Sequence, residues 1–500
     1  MELQKAIEIF ERIKRNNLAL HHAMSVMSFD NETAAPKNSA IGLAKTFEVL
    51  SGEFYKTKVN EEYFEVIDTL SANMEALEPI LKREVEEEAH SLDKMRKIPM
   101  EEYTAYQALL AKAHTVWVEA KLTNDYALLE PYLDRIIAHN RRVAELCAPE
   151  MDPYNYLLNE YEKGLNTDVL DVFFDRVREG LVPLIRKIAE KGDCIRYDFM
   201  NSICPIELQK KLSDYIMEVM HINRDDCSIG ETEHPFTMGF NKHDVRITTH
   251  YHEDSLVSNM YSVIHEGGHA LYELNTGDDL EGTTLAAGTS MSIHECQSRF
   301  FENIIGRSEA FCELIFPKIQ ELFPIQFDGV TVHDFYRAVN KAQPSLIRTE
   351  ADELTYALHI MVRYELEKRM MRGELSTKEL PAEWNRLYKE YLGIDVPSDR
   401  EGILQDMHWS GGLIGYFPSY ALGSAYGAQI LHRLEREFDI PNLIRENRIN
   451  VITMWLENRI YRYGKLIKPH EALLNACEEE FDPDHYIRYL TGKMTEIYGL

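Results

Sequence analysis

The motif H-E-G-G-H at residues 265–269 constrains the fold most, because two histidines four positions apart share one face of a helix. On such a helix, His265 and His269 lie on one face and direct both imidazoles to a single metal ion. Glu266 follows the first histidine and can reach a water molecule on the metal rather than the metal itself. Apolar residues at helical spacing extend from Val257 to Leu271. The motif therefore predicts a metal-binding helix with a general base beside its first ligand.

Two glycines inside the motif support this interpretation. A pattern H-E-x-x-H arises by chance in roughly one chain in fifteen of this composition, so its context matters. Gly267 and Gly268 stand in the middle of the predicted helix, where each glycine costs up to about 1 kcal/mol relative to alanine. Residues that weaken a helix at the position of the proposed chemistry indicate a closely packed functional helix.

A zinc site of this kind needs a third protein ligand and one position open for water. Downstream lies the segment S-I-H-E-C-Q at residues 292–297, in a helix-like stretch that runs to Ile305. His294 and Glu295 are both eligible by their chemistry, and sequence spacing does not choose between them. Three further acidic candidates follow the motif more closely: Glu273, Asp278 and Asp279.

Helical periodicity dominates the rest of the chain. Scattered prolines separate the helical patterns, and no long linker rich in proline, glycine or serine divides the chain. We therefore expect a mainly helical protein. The predicted helices cover residues 3–27, 61–121, 169–189, 205–221, 309–322, 352–371, 430–438 and 441–463.

Residues 235–251 follow a different pattern. Apolar residues alternate with smaller or polar ones over 236–240 and again over 245–249, on either side of a turn signal at 241–243. This alternation predicts a β-hairpin just upstream of the metal motif. A short sheet beside the metal helix can offer a free edge to an extended peptide.

Composition limits the partners and the compartment. The net charge of −29 argues against a nucleic-acid partner, because phosphate binding needs clustered basic residues. The seven cysteines form no C-x-x-C pair and are odd in number, which argues against a disulfide framework. No secretory signal and no apolar run of about 18 residues is visible, so we expect a cytoplasmic protein without a membrane partner.

Several sequence blocks, taken together in their order, resemble the thermostable (Taq-type) metallocarboxypeptidase family of HEXXH zinc carboxypeptidases. The resemblance covers most of the chain and is specific because many separate blocks occur in the same order. Beside the H-E-G-G-H motif, the blocks are H-E-C-Q (294–297), D-V-R-I-T (244–248), I-R-T-E-A-D-E-L-T-Y (347–356), G-I-L-Q-D-M-H-W (402–409) and G-Y-F-P-S-Y-A-L-G (415–423).

The resemblance implies a fold and a metal site. It makes Glu295 the third ligand of one zinc ion per chain, with cobalt as an alternative metal. It implies an all-α, gluzincin-like peptidase fold with a small β-sheet beside a deep central groove. We expect a single peptidase unit over residues 1–500, in which a helical part (1–200) caps the groove of a catalytic part (201–500). It also suggests a homodimer.

The chain departs from the family pattern at two positions. Cys296 follows the third ligand, where the family usually has a small residue; we expect a packing residue, and an oxidation-sensitive thiol is the alternative. Phe29 stands where the family tends to have tryptophan, in the segment 29–33. Neither departure removes a residue that the chemistry requires.

Recognition of a peptide's C-terminal end requires a cation, and the planar fork of arginine suits a carboxylate best. Arg348 and Arg246 are the candidates from the family-like blocks, and we favour Arg348 for the carboxylate. Arg246 then shapes the far end of the groove. An ordinary ion pair with Glu350, Asp352 or Glu353 is the alternative interpretation of Arg348.

The oxyanion of the reaction needs hydrogen-bond donors in addition to the metal. Tyr420 and His408 are suited to this role, and Tyr416 is a close competitor for substrate binding. His234, before the hairpin, is a candidate contact for the leaving residue, whereas a turn or capping histidine is the alternative.

These observations predict a metallocarboxypeptidase of broad specificity that releases single C-terminal amino acids, with Glu266 as general base. The first alternative is a metal-dependent oligopeptidase or dipeptidase that cuts inside short peptides. The second alternative is a non-enzymatic helical scaffold in which the motif is incidental. Cleavage of peptides with free and amidated C-termini separates the carboxypeptidase from the oligopeptidase or dipeptidase. Metal analysis tests the non-enzymatic scaffold.

Overall fold

The computed structural model describes residues 1–500, and helices form most of it. None of these helices is long and apolar enough to cross a membrane. The helices are α1 (Leu3–Thr33), α2 (Ala40–Lys58), α3 (Glu61–Ser71), α4 (Pro79–Lys97), α5 (Met100–Thr123), α6 (Glu130–Cys147), α7 (Pro153–Tyr161), α8 (Thr167–Lys191), α9 (Ile206–Val219), α10 (Leu256–Leu274), α11 (Met291–Arg299), α12 (Glu309–Leu322), α13 (Val332–Val339), α14 (Glu353–Arg372), α15 (Leu380–Leu392), α16 (Pro418–Leu434), α17 (Ile440–Arg445), α18 (Ile449–Arg459), α19 (Pro469–Cys477) and α20 (Asp484–Tyr498).

The sequence predicted the mainly helical fold correctly, but two helix assignments need correction. The predicted helix over residues 430–438 has the wrong bounds, because α16 begins at Pro418 and ends at Leu434. Proline suits the first turn of a helix, where its missing N–H leaves no bond unmade. The pattern over residues 61–121 is divided among α3, α4 and α5, and Pro79 starts α4 in the same way.

The predicted hairpin is confirmed, and it belongs to a three-stranded sheet of order β1-β3-β2. The strands are β1 (Cys227–Glu231), β2 (Thr237–Asn241) and β3 (Asp244–Thr249). β2 and β3 pair antiparallel, whereas β1 pairs parallel to β3. A parallel partner has no tight turn to mark it, and β1 was not predicted for this reason. β2 lies at an edge of the sheet and packs on α10.

One continuous hydrophobic core extends along the chain from Leu109 to Tyr498. A smaller core lies among α1, α3 and α4. Glu84 links the smaller core to the part of the chain that forms the larger core. Its carboxylate accepts hydrogen bonds from Nζ of Lys14 at 2.7 Å and from the backbone N–H of Thr284 at 2.8 Å. The division into residues 1–200 and 201–500 stays a prediction.

A carboxyl group is buried beneath the start of α11. Glu162 is 2% exposed; its Oε2 accepts the N–H of Ser292 at 3.4 Å, and its Oε1 has no partner. Burial raises the pKa of Glu162 from 4.5 to about 7, although Ser292 and Ser290 oppose the shift. The folded protein therefore favours the neutral form of this group.

Glu162→Gln should flatten the dependence of stability on pH. The unfolded chain ionises this carboxyl near pH 4.5 and the folded chain only near pH 7, so rising pH favours unfolding across that interval. The shift corresponds to a loss of about 3 kcal/mol. We expect the melting temperature of the wild type to fall more between about pH 5 and pH 8 than that of Glu162→Gln. Equal slopes for the two proteins, with the exposed Glu150→Gln as control, would contradict this expectation.

Candidate metal centre and active site

Helices α10 and α11 bring three potential metal ligands together. The Nε2 atoms of His265 and His269 lie 3.9 and 3.8 Å from Oε2 of Glu295, and the three ligand atoms lie within 4.8 Å of one another. A tetrahedral zinc site with bonds of 2.0–2.1 Å separates its ligand atoms by roughly 3.4 Å. The two distances to Glu295 exceed this spacing by about half an ångström, so small side-chain movements would bring the three ligand atoms onto a single ion.

Gly268 explains how the two helices approach so closely. A Cβ atom at this position would lie 2.7 Å from the carbonyl oxygen of Gln297 and 2.8 Å from the Cα atom of Ser298. Only glycine lets the backbone of α10 contact that of α11 here, because any side chain would push the helices apart. The glycine that weakens the helix locally thus keeps the histidines within reach of Glu295.

A carboxylate stands behind His265. Glu302 lies in the π-helical turn Phe300–Ile305 that continues α11, and its Oε2 is 2.9 Å from Nδ1 of His265. Burial alone would raise the pKa of Glu302, but Arg299, His265 and Arg307 outweigh it and hold the pKa well below its usual range. The ionised Glu302 accepts the Nδ1–H, which leaves the lone pair of Nε2 free for a metal.

A different chain of hydrogen bonds stands behind His269. Its Nδ1 lies 2.7 Å from Nδ1 of His294, and Nε2 of His294 lies 2.6 Å from Oε1 of Glu273. If His269 offers Nε2 to a metal, its Nδ1–H donates to His294, and His294 donates to Glu273. Both nitrogens of His294 are thereby engaged. Two of the sequence candidates for the third ligand therefore lie behind the second histidine, and Asp278 and Asp279 are exposed.

Arg299 limits how Glu295 can bind a metal. Its Nε donates to Oε1 of Glu295 at 2.7 Å, which leaves Oε2 as the oxygen between the two histidines. The guanidinium of Arg299 also lies over the ring of Tyr356, 4.2 Å from its centroid. Glu295 is therefore set up as a monodentate ligand.

Glu266 is almost fully buried beside the ligands, with 6% of its surface exposed. The hydroxyl of Thr237 on β2 lies 2.6 Å from its Oε2. Burial raises the pKa of Glu266, with smaller contributions from Glu295 and Glu302, against the opposing effects of His265 and Thr237. A raised pKa suits a carboxylate that has to accept and return a proton.

A second charged cluster surrounds Asp406. Arg348 donates to its Oδ1 through Nε at 3.0 Å and Nη2 at 2.9 Å, and Arg363 donates to Oδ2 through Nε at 2.7 Å. Two guanidinium groups thus share one carboxylate, which leaves one positive charge unbalanced. None of the three suggested partners pairs with Arg348: Asp352 caps α14, Glu353 binds Lys493, and Glu350 is exposed.

Arg348 connects this cluster to both the metal ligands and the aromatic candidates. Its Nη1 donates to the hydroxyl of Tyr356 at 3.2 Å, and Tyr356 in turn packs on Arg299 beside Glu295. The guanidinium carbon of Arg348 lies 5.2 Å from the ring centroid of Tyr420.

Three of the predicted residues lie together beside Arg348. Nε2 of His408 is 3.3 Å from the hydroxyl of Tyr420, and the rings of Tyr416 and Tyr420 meet edge to face at 5.3 Å. Burial lowers the pKa of His408 to about 4, and Arg348 and Arg363 add to the effect against Asp406. His408 is therefore neutral near pH 7 and has one N–H to donate.

The remaining two candidates lie apart from this group. Arg246 forms a bidentate ion pair with Asp244 at 2.8 Å and packs between the rings of Phe29 and Phe240. His234 is exposed in the loop between β1 and β2. No hydrogen bond or ring contact joins either side chain to the metal ligands or to Arg348.

Cys296 is fully buried, and burial raises the pKa of its thiol well above the usual range. A protonated, inaccessible thiol is a poor metal ligand and a poor nucleophile. Its environment agrees with the packing role expected from the sequence.

Sequence reasoning missed four residues that organise the site. Arg299 lies four positions after Glu295, a helical spacing that indicates an ion pair and could have identified it. Asp406 lies inside the family-like block 402–409, but nothing in the sequence pairs it with Arg348. Glu302 and Thr237 carry no local signal, because their contacts depend on the π-helical turn and on the packing of β2 against α10.

Comparisons with known proteins agree with this architecture. The chain matches the family described as Carboxypeptidase Taq (M32) metallopeptidase over residues 9–494. It is 39% identical over 494 residues to Carboxypeptidase 1 of Bacillus subtilis (strain 168), covering 99% of this chain and 98% of that protein. It is 34% identical over 484 residues to Thermostable carboxypeptidase 1 of Pyrococcus furiosus, covering 95% of each.

The three-dimensional structure leads to the same family. The crystal structure of the M32 carboxypeptidase from Deinococcus radiodurans R1 superposes with a TM-score of 0.95 at 31% sequence identity, covering 99% of this chain and 100% of that chain. The family and the activity predicted from the sequence are thereby confirmed. The chain belongs to the Carboxypeptidase Taq (M32) metallopeptidase family and is a metallocarboxypeptidase.

Proposed function

We propose that this metallocarboxypeptidase releases single C-terminal amino acids with a zinc ion held by His265, His269 and Glu295. The observation that carries the proposal is the convergence of these three ligand atoms within 4.8 Å, beside the buried carboxylate of Glu266. Two imidazoles and one carboxylate form a donor set typical of catalytic zinc, and cobalt is the alternative metal. When bound, the metal supplies an electrophilic centre that polarises water and the scissile carbonyl.

Glu266 is the proposed general base. Its Oε2 is engaged by Thr237, whereas its Oε1 has no hydrogen bond to the protein and is free to accept a proton from the attacking water. The same carboxylic acid then returns the proton to the leaving amine. Near-complete burial keeps bulk water away from this transfer.

His408 and Tyr420 are the proposed donors to the oxyanion that develops on the scissile carbonyl. Their polar atoms lie 3.3 Å apart, so the two donors converge on the same region. Donors that are already in place stabilise developing charge without reorganisation at the moment of reaction. Tyr416, at the edge of the Tyr420 ring, is the proposed substrate contact.

Arg348 is the proposed receptor for the C-terminal carboxylate of the substrate. The unbalanced positive charge of the Arg348–Asp406–Arg363 cluster supports this role, because a substrate carboxylate would neutralise it. Broad specificity follows if recognition depends on the carboxylate that every peptide end carries. His234 is left as a proposed contact for the leaving residue, and Arg246 is left as a proposed residue of the far end of the groove.

A peptide assay with and without chelator tests the proposal directly. We expect a peptide with a free C-terminus to lose one residue per cleavage, and the matched peptide amide to be cleaved at least about tenfold more slowly, because the charge-assisted contact is lost. Chelator should abolish both activities, and added Zn²⁺ or Co²⁺ should restore them. Equal cleavage of the two peptides would contradict recognition of the chain end, and activity in metal-free protein would contradict the metal site.

Three further expectations stay predictions. They are assembly as a homodimer, a cytoplasmic location, and the absence of nucleic-acid and membrane partners.

A further inference from the structure

The edge strand β2 makes a side-chain contact with the proposed general base. Oγ1 of Thr237 lies 2.6 Å from Oε2 of Glu266 and 3.0 Å from the carbonyl oxygen of the same residue. The hydroxyl carries one proton, and the shorter distance together with the stronger acceptor directs it to the carboxylate. Thr237 is the only protein group that donates a hydrogen bond to the side chain of Glu266.

This contact determines which oxygen of Glu266 is available. A glutamate side chain has three rotatable bonds, and a free carboxylate exchanges its two oxygens by rotation about the last of them. A hydrogen bond at Oε2 selects one arrangement, in which Oε1 is the oxygen left for the proton of water. Reactions of this kind are sensitive to displacement of a catalytic group by about 1 Å.

β2 is held rigidly enough to act as a support. Thr237 pairs with Ile247 of β3, and Gly239, two residues along the same face of β2, meets the side chain of Glu273. A Cβ atom at Gly239 would lie 2.7 Å from Oε2 of Glu273, so the strand contacts two successive parts of α10. The distance from the hydroxyl of Thr237 to Glu266 is thus set by strand pairing and by a close approach that glycine permits.

We propose that Thr237 is a positioning residue for the reaction, whose hydroxyl holds Oε2 of Glu266 so that Oε1 faces the attacking water. The inference rests on the proposed role of Glu266 as general base. Thr237 forms no side-chain hydrogen bond to a metal ligand, and in this proposal it acts through Glu266 alone.

The variants Thr237→Val and Thr237→Ser separate the hydroxyl from the shape of the side chain. Valine matches threonine in size and β-branching but lacks the hydroxyl, whereas serine retains it. We expect Thr237→Val to lower kcat by roughly tenfold to a hundredfold with KM changed less than about twofold. Thr237→Ser should recover most of that loss, and metal content should equal that of the wild type in both. An unchanged kcat in Thr237→Val, or equal losses in the valine and serine variants, would overturn the proposal.

Two further variants control the experiment. Thr249→Val removes a buried hydroxyl elsewhere in the same sheet, which accepts a hydrogen bond from Nδ2 of Asn259 at 2.9 Å and forms none with Glu266. If Thr249→Val lowers kcat as much as Thr237→Val does, the effect belongs to the sheet as a whole and the proposal fails. Glu266→Gln separates the general-base hypothesis from the positioning hypothesis. An active Glu266→Gln protein would reject Glu266 as the general base. An inactive Glu266→Gln protein together with a fully active Thr237→Val protein would reject only the positioning role of Thr237.

The orientation of the Glu266 carboxylate in crystal structures provides a test that does not depend on activity. A crystal structure of metal-free Thr237→Val should show the carboxylate of Glu266 turned away from its wild-type orientation, since no other protein donor holds Oε2. The metal-free wild type and Thr237→Ser should keep the original orientation. An unmoved carboxylate in the valine variant would contradict the proposal.

Discussion

Replacement of Glu266 by glutamine is expected to lower kcat by roughly three orders of magnitude, within the range that general acid–base catalysis contributes. Glutamine has nearly the same shape but cannot accept a proton from water at neutral pH. The amide oxygen can still accept the hydrogen bond from Thr237, which lies 2.6 Å from Oε2 in the wild type. The local structure should therefore survive while the chemistry stops.

Metal analysis distinguishes this expectation from loss of the site. Glu266 is not one of the three converging ligand side chains, so Glu266→Gln should bind the same amount of metal as the wild type. The exposed Glu281→Gln, nearby in the sequence, serves as the control and should retain full activity. A Glu266→Gln protein that holds metal and still cleaves at more than a few per cent of the wild-type rate would exclude Glu266 as the base.

The metal centre is the part of the site that the sequence predicts best, for a physical reason. Two histidines at i and i+4 are neighbours on any helix, so their convergence needs no knowledge of the tertiary fold. The choice of Glu295 over His294 was not available from spacing and came from the family resemblance. In the structure, both residues meet the histidine pair, but Glu295 lies beside the two Nε2 atoms, whereas His294 lies beside Nδ1 of His269.

The supporting residues could not be predicted, because their contacts join distant parts of the chain. Thr237 meets Glu266 across 29 positions, and Arg348 meets Asp406 across 58. The sequence offers several acidic residues nearer to Arg348, and local reasoning favours those neighbours. The structure uses them for other purposes: Asp352 accepts the N–H groups at the start of α14.

The fold shows the same division between local and distant signals. Amphipathic helices and the β2–β3 hairpin are read from periodicity within a few turns of chain, and both predictions hold. Strand β1 and the first half of α16 were missed because their signals are weak or ambiguous locally. Pro418 looks like a helix breaker in the sequence, yet it occupies the first turn of α16, which carries Tyr420.

The variant Arg348→Lys tests the recognition of the chain end. Lysine retains the positive charge that faces Asp406, so the net charge of the buried cluster is unchanged, but it loses the planar fork that can bind a carboxylate with two parallel hydrogen bonds. A charge-assisted hydrogen bond contributes about 1.5–3 kcal/mol, which corresponds to roughly a tenfold to hundredfold loss. We expect kcat/KM for peptides with a free C-terminus to fall by this factor, mainly through KM. Cleavage of the matched amides should change little, so the preference for free ends should collapse.

Arg246→Lys is the matched control, since Arg246 is the rival candidate from the sequence. Its guanidinium binds Asp244 through both Nε and Nη2, and this carboxylate balances its charge, whereas Arg348 has to share Asp406 with Arg363. This variant should keep the preference for free C-termini, whatever it does to the overall rate. If Arg246→Lys loses the preference for free C-termini and Arg348→Lys keeps it, Arg246 on β3 binds the substrate carboxylate. In that case, the Arg348–Asp406–Arg363 cluster serves only to hold the segment that carries His408.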